Sequence, residues 1–425
     1  MLGSRILIAV FALVIQVPAV WGACTGSSPT WTTTSDYVSV NTCVTNASNG
    51  DTINIQVGSA TWSSTLNLGS KYLSLIGAGQ GNTNITNNVG TLISAKGTGN
   101  NLLRISGFTI IGADNQTNII DIIGPALKVR IDHITFNKGD NAIGTNYSSI
   151  SATGPVYGVA DHCQFINMKR PYFAADKRSG DSGVAWGTTA WNEFNSNPTS
   201  FPGSNKFMFF EDNQFIWNSS LTDNNAQGAL YGQYGAKAVF RHNTLTGFCT
   251  YVDAHGDGPD YGTIMYEIYN NTFTENDANC GATDIIGMRG GQSIIHDNTF
   301  NVSLDPVHLL IYWPSCSNPS NPVPSSCELP SHRVNSTYVY GNTKCNESGG
   351  GCTTNQSAVV FVADSPYSGS ESSSTFIQLS QQYYSSAPSS GQTYFPYTPY
   401  TYPHPLTNQT TSSAPQPTNL SANVQ

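Results

Sequence analysis

Three carboxylates and an arginine recur at the second position of one repeated hexapeptide. They are Asp132 in IDHITF, Asp161 in ADHCQF, Glu211 in FEDNQF and Arg241 in FRHNTL. Two later copies, IYNNTF and IHDNTF, put Tyr269 and His296 at the same position. If the copies stack, equivalent side chains stand about 4.8 Å apart. Carboxylates that close repel. A hard cation such as Ca²⁺ held by Asp132, Asp161 and Glu211 would neutralise them. Otherwise one carboxyl stays protonated and becomes a general acid. His296, facing outward beside Arg241 and Tyr269, is a candidate for proton transfer.

The next position of the repeat holds His133, His162, Asp212, His242, Asn270 and Asp297, a recurrence that fits a hydrogen-bonding role in a turn. Two excursions between copies supply further chemistry. Residues 166–206 carry Lys169, Arg170, Lys177, Arg178 and Lys206, five of the chain's 17 lysines and arginines, together with Trp186 and Trp191. Cations beside exposed aromatic planes suit an acidic sugar chain. The run 251–260 is glycine-rich and holds Asp253, His255, Asp257 and Asp260. Arg289, in MRGG at a coil corner, is placed to reach the same face. Arg170, Trp186, Trp191, His255, Tyr269 and Arg289 are therefore the candidate substrate contacts.

The repeat that must position these residues occurs eight times, ending at Ile110, Phe136, Phe165, Phe215, Leu245, Phe273, Phe300 and Lys344. The steps are 26, 29, 50, 30, 28, 27 and 44 residues, so two copies are followed by insertions. Such a period marks a stacked repeat. Each copy reads as a short strand and a turn. One column is apolar: Ile105, Ile131, Ala160, Phe210, Phe240, Ile268, Ile295 and Val339. Another ends in Asn213, Asn243, Asn271, Asn298 and Asn342, the pattern of an asparagine ladder whose amides bond from coil to coil. The expected fold is all-β, a right-handed parallel β-helix with long loop insertions.

Boundaries follow from composition. Residues 1–22 read as a secretory signal peptide, with Arg5 before an apolar run too short to span a membrane. Residues 23–50 are expected to cap the solenoid. Residues 51–404 would form the coils and a packed C-terminal segment, and 405–425, poor in apolar anchors, a disordered tail. Nine cysteines in an exported chain imply disulfides. Proximity pairs Cys24 with Cys43, Cys249 with Cys280, Cys316 with Cys327 and Cys345 with Cys352, leaving Cys163 as a buried thiol. A net charge of −9 and the lack of a basic stripe argue against nucleic acid. A secreted monomer is expected.

The opening GDTINIQVGSATWSSTLNL…LSLIGAGQGNTNI, the strand VRIDHITF and the ending TPYTYPHPL resemble secreted β-helix proteins of the pectate-lyase-like superfamily, over most of residues 40–405. In pectate lyases the aspartate of the IDH strand belongs to a calcium site, which the resemblance carries to Asp132. The activity implied is calcium-assisted β-elimination on a uronate-containing polysaccharide. Asp132, Asp161 and Glu211 would hold the ion, Arg241 would be the base, and His296 or Lys169 would replace it. A full pectate-lyase active-site signature is absent. Two other readings stay open: a glycoside hydrolase using two of the carboxylates, and a non-catalytic glycan-binding or structural solenoid.

Overall fold

The computed structural model describes residues 24–112, 118–138, 148–178, 180–181, 186–217, 228–247, 252–255, 262–275, 284–310, 334–363, 374, 377–389 and 397–408. The chain winds as a parallel β-helix. Three strands make a coil, and ten coils stack in the described residues, from Thr52–Ile55, Gly58–Trp62 and Leu66–Gly69 to Val334–Tyr340, Thr343–Cys345 and Val360–Val362. Strands of successive coils pair in parallel to build three long sheets, called first, second and third in the order the chain meets them.

The corner between first and second sheets explains the repeated His, Asp and Asn. His133, His162, Asp212, His242, Asn270 and Asp297 all adopt left-handed backbone, with φ between 52° and 57°. One such residue turns the chain from one strand into the next. Asp, Asn and His tolerate that conformation better than most residues. The following residue points inward and forms the asparagine ladder. Asn213 donates to Asn243 Oδ1 at 3.1 Å, Asn243 to Asn271 at 3.0 Å, Asn271 to Asn298 at 3.0 Å and Asn298 to Asn342 at 3.0 Å. Each Oδ1 also accepts the backbone N–H of the preceding coil, so a buried turn is satisfied without water. Cys163 continues the column as a free buried thiol, its N–H donating to Asn213.

The predicted apolar column is buried throughout, and Phe136, Phe165 and Phe215 stack at 5.0 Å inside the second sheet. At the N-terminal end, helix Tyr37–Asn46 starts from an Asp36 cap and lays Val40, Cys43 and Val44 over the first coil. Cys24–Cys43 ties this cap, and Cys345–Cys352 closes a loop on the last coil. The other two expected pairs lie outside the described residues.

Three expectations are corrected. The first insertion does not begin at residue 166. Gln164–Ile166 and Tyr172–Ala175 are ordinary coil strands, and the excursion starts after them. It adds no coil, because Asp161 pairs directly with Glu211. Packing also continues past residue 404, since Leu406 is buried in the turn Pro405–Asn408.

The third correction bears on function. Over the middle coils the outward face of the first sheet is covered. Val159, Phe209, Val239, Ile294 and Tyr338 form a second core there with Trp191, Phe194, Phe201 and Leu406. Helix Thr188–Ser196 and the C-terminal segment 397–408 bring its covering side chains. The middle strands of the sheet carry apolar side chains on both faces, on the outward face beside a file of charged ones, and such strands are covered on both sides.

Asn271→Ala would strand the N–H of Asn243 and remove an amide donor from the Phe240 carbonyl and from Asn298 Oδ1, which keeps only the backbone N–H of residue 271. At about 1–3 kcal/mol per buried unsatisfied group, a loss of roughly 2–4 kcal/mol is expected, readable as a lower urea midpoint with unchanged slope.

Candidate functional site

The expected acidic line exists as a register. Asp132, Asp161, Glu211, Arg241, Tyr269 and His296 follow one another on consecutive coils. Its setting differs from expectation, because Asp132, Asp161, Glu211 and Arg241 are each 0 % exposed. Arginines answer the charge. Arg104 holds Asp132 through two hydrogen bonds of 2.8 Å. Arg130 holds Asp161 at 3.0 and 3.1 Å, and Arg241 Nε donates to Glu211 at 2.7 Å. Burial works against the Asp132 charge, but the bonds from Arg104 and His133 and the charge of Arg130 hold its carboxyl well below the usual range. A carboxylate already saturated by guanidinium and imidazole donors presents little to a metal. Asp132, Asp161 and Glu211 therefore do not fit a Ca²⁺ site, and among the described residues no three His, Cys, Asp or Glu side chains converge on one.

The C-terminal segment seals this strip. Arg241 donates to the carbonyls of Tyr400 at 2.7 Å and Thr401 at 2.9 Å, and Arg130 to that of Thr407 at 3.0 Å. The N–H of His404 donates to Glu211 at 2.8 Å. Burial pulls the Arg241 pKa down, yet Tyr269 and Glu211 outweigh it and hold the guanidinium protonated. An enclosed, charged arginine is unsuited to take a proton from a polymer. His296 is stacked between Tyr269 at 4.7 Å and Tyr340 at 4.9 Å, bonded to Asp297 and roofed by Tyr397. Burial lowers its pKa, so it is a neutral member of the stack. Tyr269 is buried as the hydrogen-bond partner of Arg241. Trp191 is likewise no exposed platform. It sits on the buried face of its helix, and its indole N–H donates to Gly262 at 3.0 Å.

The remaining candidates gather on the third sheet. Its outward file runs Phe173, Tyr231, Asp253, Gly287, His308 and Phe361 on consecutive coils. His255 extends the Asp253 strand by two residues, and its Nε2 lies 2.8 Å from Asp253 Oδ2. Arg289 Nε stands 3.3 Å from Asp253 Oδ1 and Nη1 3.3 Å from His255 Nε2. Arg170 lies over the Tyr231 ring at 3.9 Å, and Tyr231 packs against His255 at 4.2 Å. Gln233 donates to the Tyr231 hydroxyl at 3.0 Å. Burial raises the Asp253 pKa, but Arg289, His255 and Arg170 outweigh it, so the carboxylate stays ionised at neutral pH.

Asp253 Oδ1 is buried and completes no hydrogen bond among the described residues, although Arg289 is close. A buried acceptor in this state calls for an explanation, such as an ordered water, an ion or a ligand group. Trp186 stacks on Tyr234 at 3.5 Å at the corner of this sheet, with Lys177 4.7 Å above its ring. Lys169 is half-buried in the turn that carries Arg170. Asp257 and Asp260 lie outside the described residues.

Arg170, His255 and Arg289 thus converge as the sequence reading allowed, on a carboxylate it placed only in the loop. Tyr231, Asp284 and His308 were missed, because the third-sheet strands lie outside the hexapeptide and carry no repeated motif. The alternation LYGQ in 230–233, with Tyr231 and Gln233 on one face, was the available signal. No protein-family model matches the chain, and no curated protein matches it.

The sealed strip has one strong pH signature. Glu267 is wholly buried, accepts from the Gly203 N–H at 2.8 Å and the Tyr397 hydroxyl at 3.2 Å, and burial raises its pKa to about 7 against those bonds. A carboxyl with a raised folded pKa binds more protons folded than unfolded. Its contribution is complete below the ordinary value of 4.5 and is lost as pH rises through about 7. Over that window the wild type is expected to lose roughly 3 kcal/mol relative to Glu267→Gln, measured by urea unfolding at pH steps. Parallel curves for the two proteins would remove Glu267 as the cause.

Proposed function

We propose that the third-sheet cluster is the active site of a polysaccharide lyase that cleaves a uronate-containing chain by β-elimination. The convergence of two arginines, a histidine and an ionised aspartate beside an aromatic face carries the reading. The fold is compatible with the pectate-lyase-like resemblance, and the disulfides suit an extracellular protein. No helix among the described residues is long and apolar enough to cross a membrane.

β-Elimination needs the uronate carboxylate neutralised, the C5 proton removed and the glycosidic oxygen protonated. Arg289 and Arg170 provide fixed positive charge for the first need. An acidic protein, at net charge −9, gains from concentrating cations where an acidic polymer must dock. His255 meets the second. With Nε2–H donating to Asp253, Nδ1 carries the lone pair, and the carboxylate stabilises the imidazolium that forms. Phe173 and Tyr231 supply aromatic surface for the sugar faces, and Trp186 extends it towards the sheet corner.

The test is release of unsaturated uronate, followed by its ultraviolet absorbance, on a panel of acidic polysaccharides. His255→Ala is expected to lower kcat about 10²–10⁴-fold, the usual worth of a general base. Arg289→Ala is expected to raise KM as well, since it removes charge from the bound carboxylate. The calcium expectation enters the same assay, run with added calcium and with chelator. Loss of signal on chelation would return that charge to a cation, held by carboxylates other than the three paired in the first sheet. Reducing ends without unsaturation would favour a hydrolase. Silence on acidic and neutral glycans alike would favour a non-catalytic solenoid.

A further inference from the structure

The second sheet presents a face that the lyase reading does not use. Phe215, Leu245, Phe273 and Phe300 point into the core from its strands and are wholly buried. The residues on either side of each therefore face outward, in two files. One file runs Gln214, Thr244, Thr272, Thr299 and Thr343 on consecutive coils. The other runs Ile216, Thr246, Thr274 and Asn301. Gln214, Thr244 and Ile216 are exposed, and the rest are half-buried between their neighbours. The outward files of the other two sheets hold ionisable groups, among them Asp161, Glu211 and Arg241 on the first and Asp253 and His308 on the third. The second-sheet files hold no charge and no aromatic ring, back to Ser59 and Thr61 on the first coil.

The grid is regular in both directions. Coils repeat at about 4.8 Å, and the two files stand about 6.6 Å apart along each strand. Thr244, Thr246, Thr272 and Thr274 thus mark the corners of a rectangle, with Thr299 and Asn301 on the coil beyond. Behind it Phe273 and Phe300 stack at 5.0 Å with their planes 9° apart, which backs the grid with a close-packed core. A charged polymer would leave its charges unmatched on this face. A sugar chain would find no ring to lie on, of the kind that Phe173 and Tyr231 offer on the third sheet. Crystalline water fits, because oxygen repeats on the faces of ice lie close to both spacings. Each threonine hydroxyl exchanges hydrogen bonds with a water, and each methyl orders the waters around it. The backbone fixes the array before contact, so little freedom is lost on docking.

We propose that the outward face of the second sheet binds ice. This function goes beyond the lyase reading, and neither depends on the other. The experiment cools the full-length protein with a seed crystal of ice and reads the gap between melting and freezing points, the crystal shape and the rate of recrystallisation. Thr244→Lys and Thr272→Lys each set a long, charged side chain into the grid. Thr45→Lys, on the exposed side of helix Tyr37–Asn46, adds the same charge elsewhere. Melting curves check folding. The wild type and Thr45→Lys are expected to open a gap, facet the crystal and slow recrystallisation, and the two grid variants to lose all three effects. Release of unsaturated uronate should be the same in every variant, so either reading can fail without the other. A wild type that leaves ice growth unchanged would overturn the proposal. So would full activity in folded Thr272→Lys, or equal loss in Thr45→Lys. Retention of an ice-inactive wild type on an insoluble neutral polysaccharide, lost in Thr272→Lys, would overturn it too and give the face to a glycan.

Discussion

In-register stacking sets each position of a coil about 4.8 Å from its equivalents above and below. Every other feature of this molecule adjusts to that constraint. Apolar columns become continuous cores, and asparagines become a ladder in which each amide finds its partner. Ionisable columns face a harsher requirement, because like charges at that spacing repel through a poorly screened surface. On the first sheet the chain meets it by pairing. Arg104 and Arg130 neutralise Asp132 and Asp161, and Arg241 neutralises Glu211. The paired strip can then be buried, and the C-terminal segment lies across it, accepting from Arg130 and Arg241 through its carbonyls.

The third sheet answers differently. Asp253 meets Arg289, Arg170 and His255, but its Oδ1 completes no hydrogen bond among the described residues, and on the neighbouring coil the Asp284 carboxylate occupies the space beside Gly287. A buried ion pair with every donor and acceptor matched is a structural element. The two sheets use similar residues and differ in how fully the hydrogen bonds close.

The covering of the first sheet has consequences for stability. Its outer core joins a mid-chain excursion to the C-terminal segment, and Glu267 receives hydrogen bonds from both. The same residues fix the ends of two segments far apart in sequence. Packing of this kind makes the strap part of the cooperative unit rather than an appended tail.

The repeat spacing, the apolar column, the asparagine ladder and the free Cys163 were all legible in the chain. Each follows from a local period, and a period of one coil converts sequence distance into spatial contact. The left-handed turn was legible too, as the run of His, Asp and Asn. What lay over each face was not. Arg241 and His296 read as solvent-facing because alternation tells inside from outside of one coil and nothing about a segment more than a hundred residues later. A hint existed in MFFE, KAVFR and SIIH, where apolar residues occupy both alternations, the mark of a strand covered twice. The gathering of Arg170, His255, Arg289 and Asp253 also depended on tertiary structure. Unequal loop lengths hide which third-sheet residues share a file, and only the closed stack of coils fixes that register.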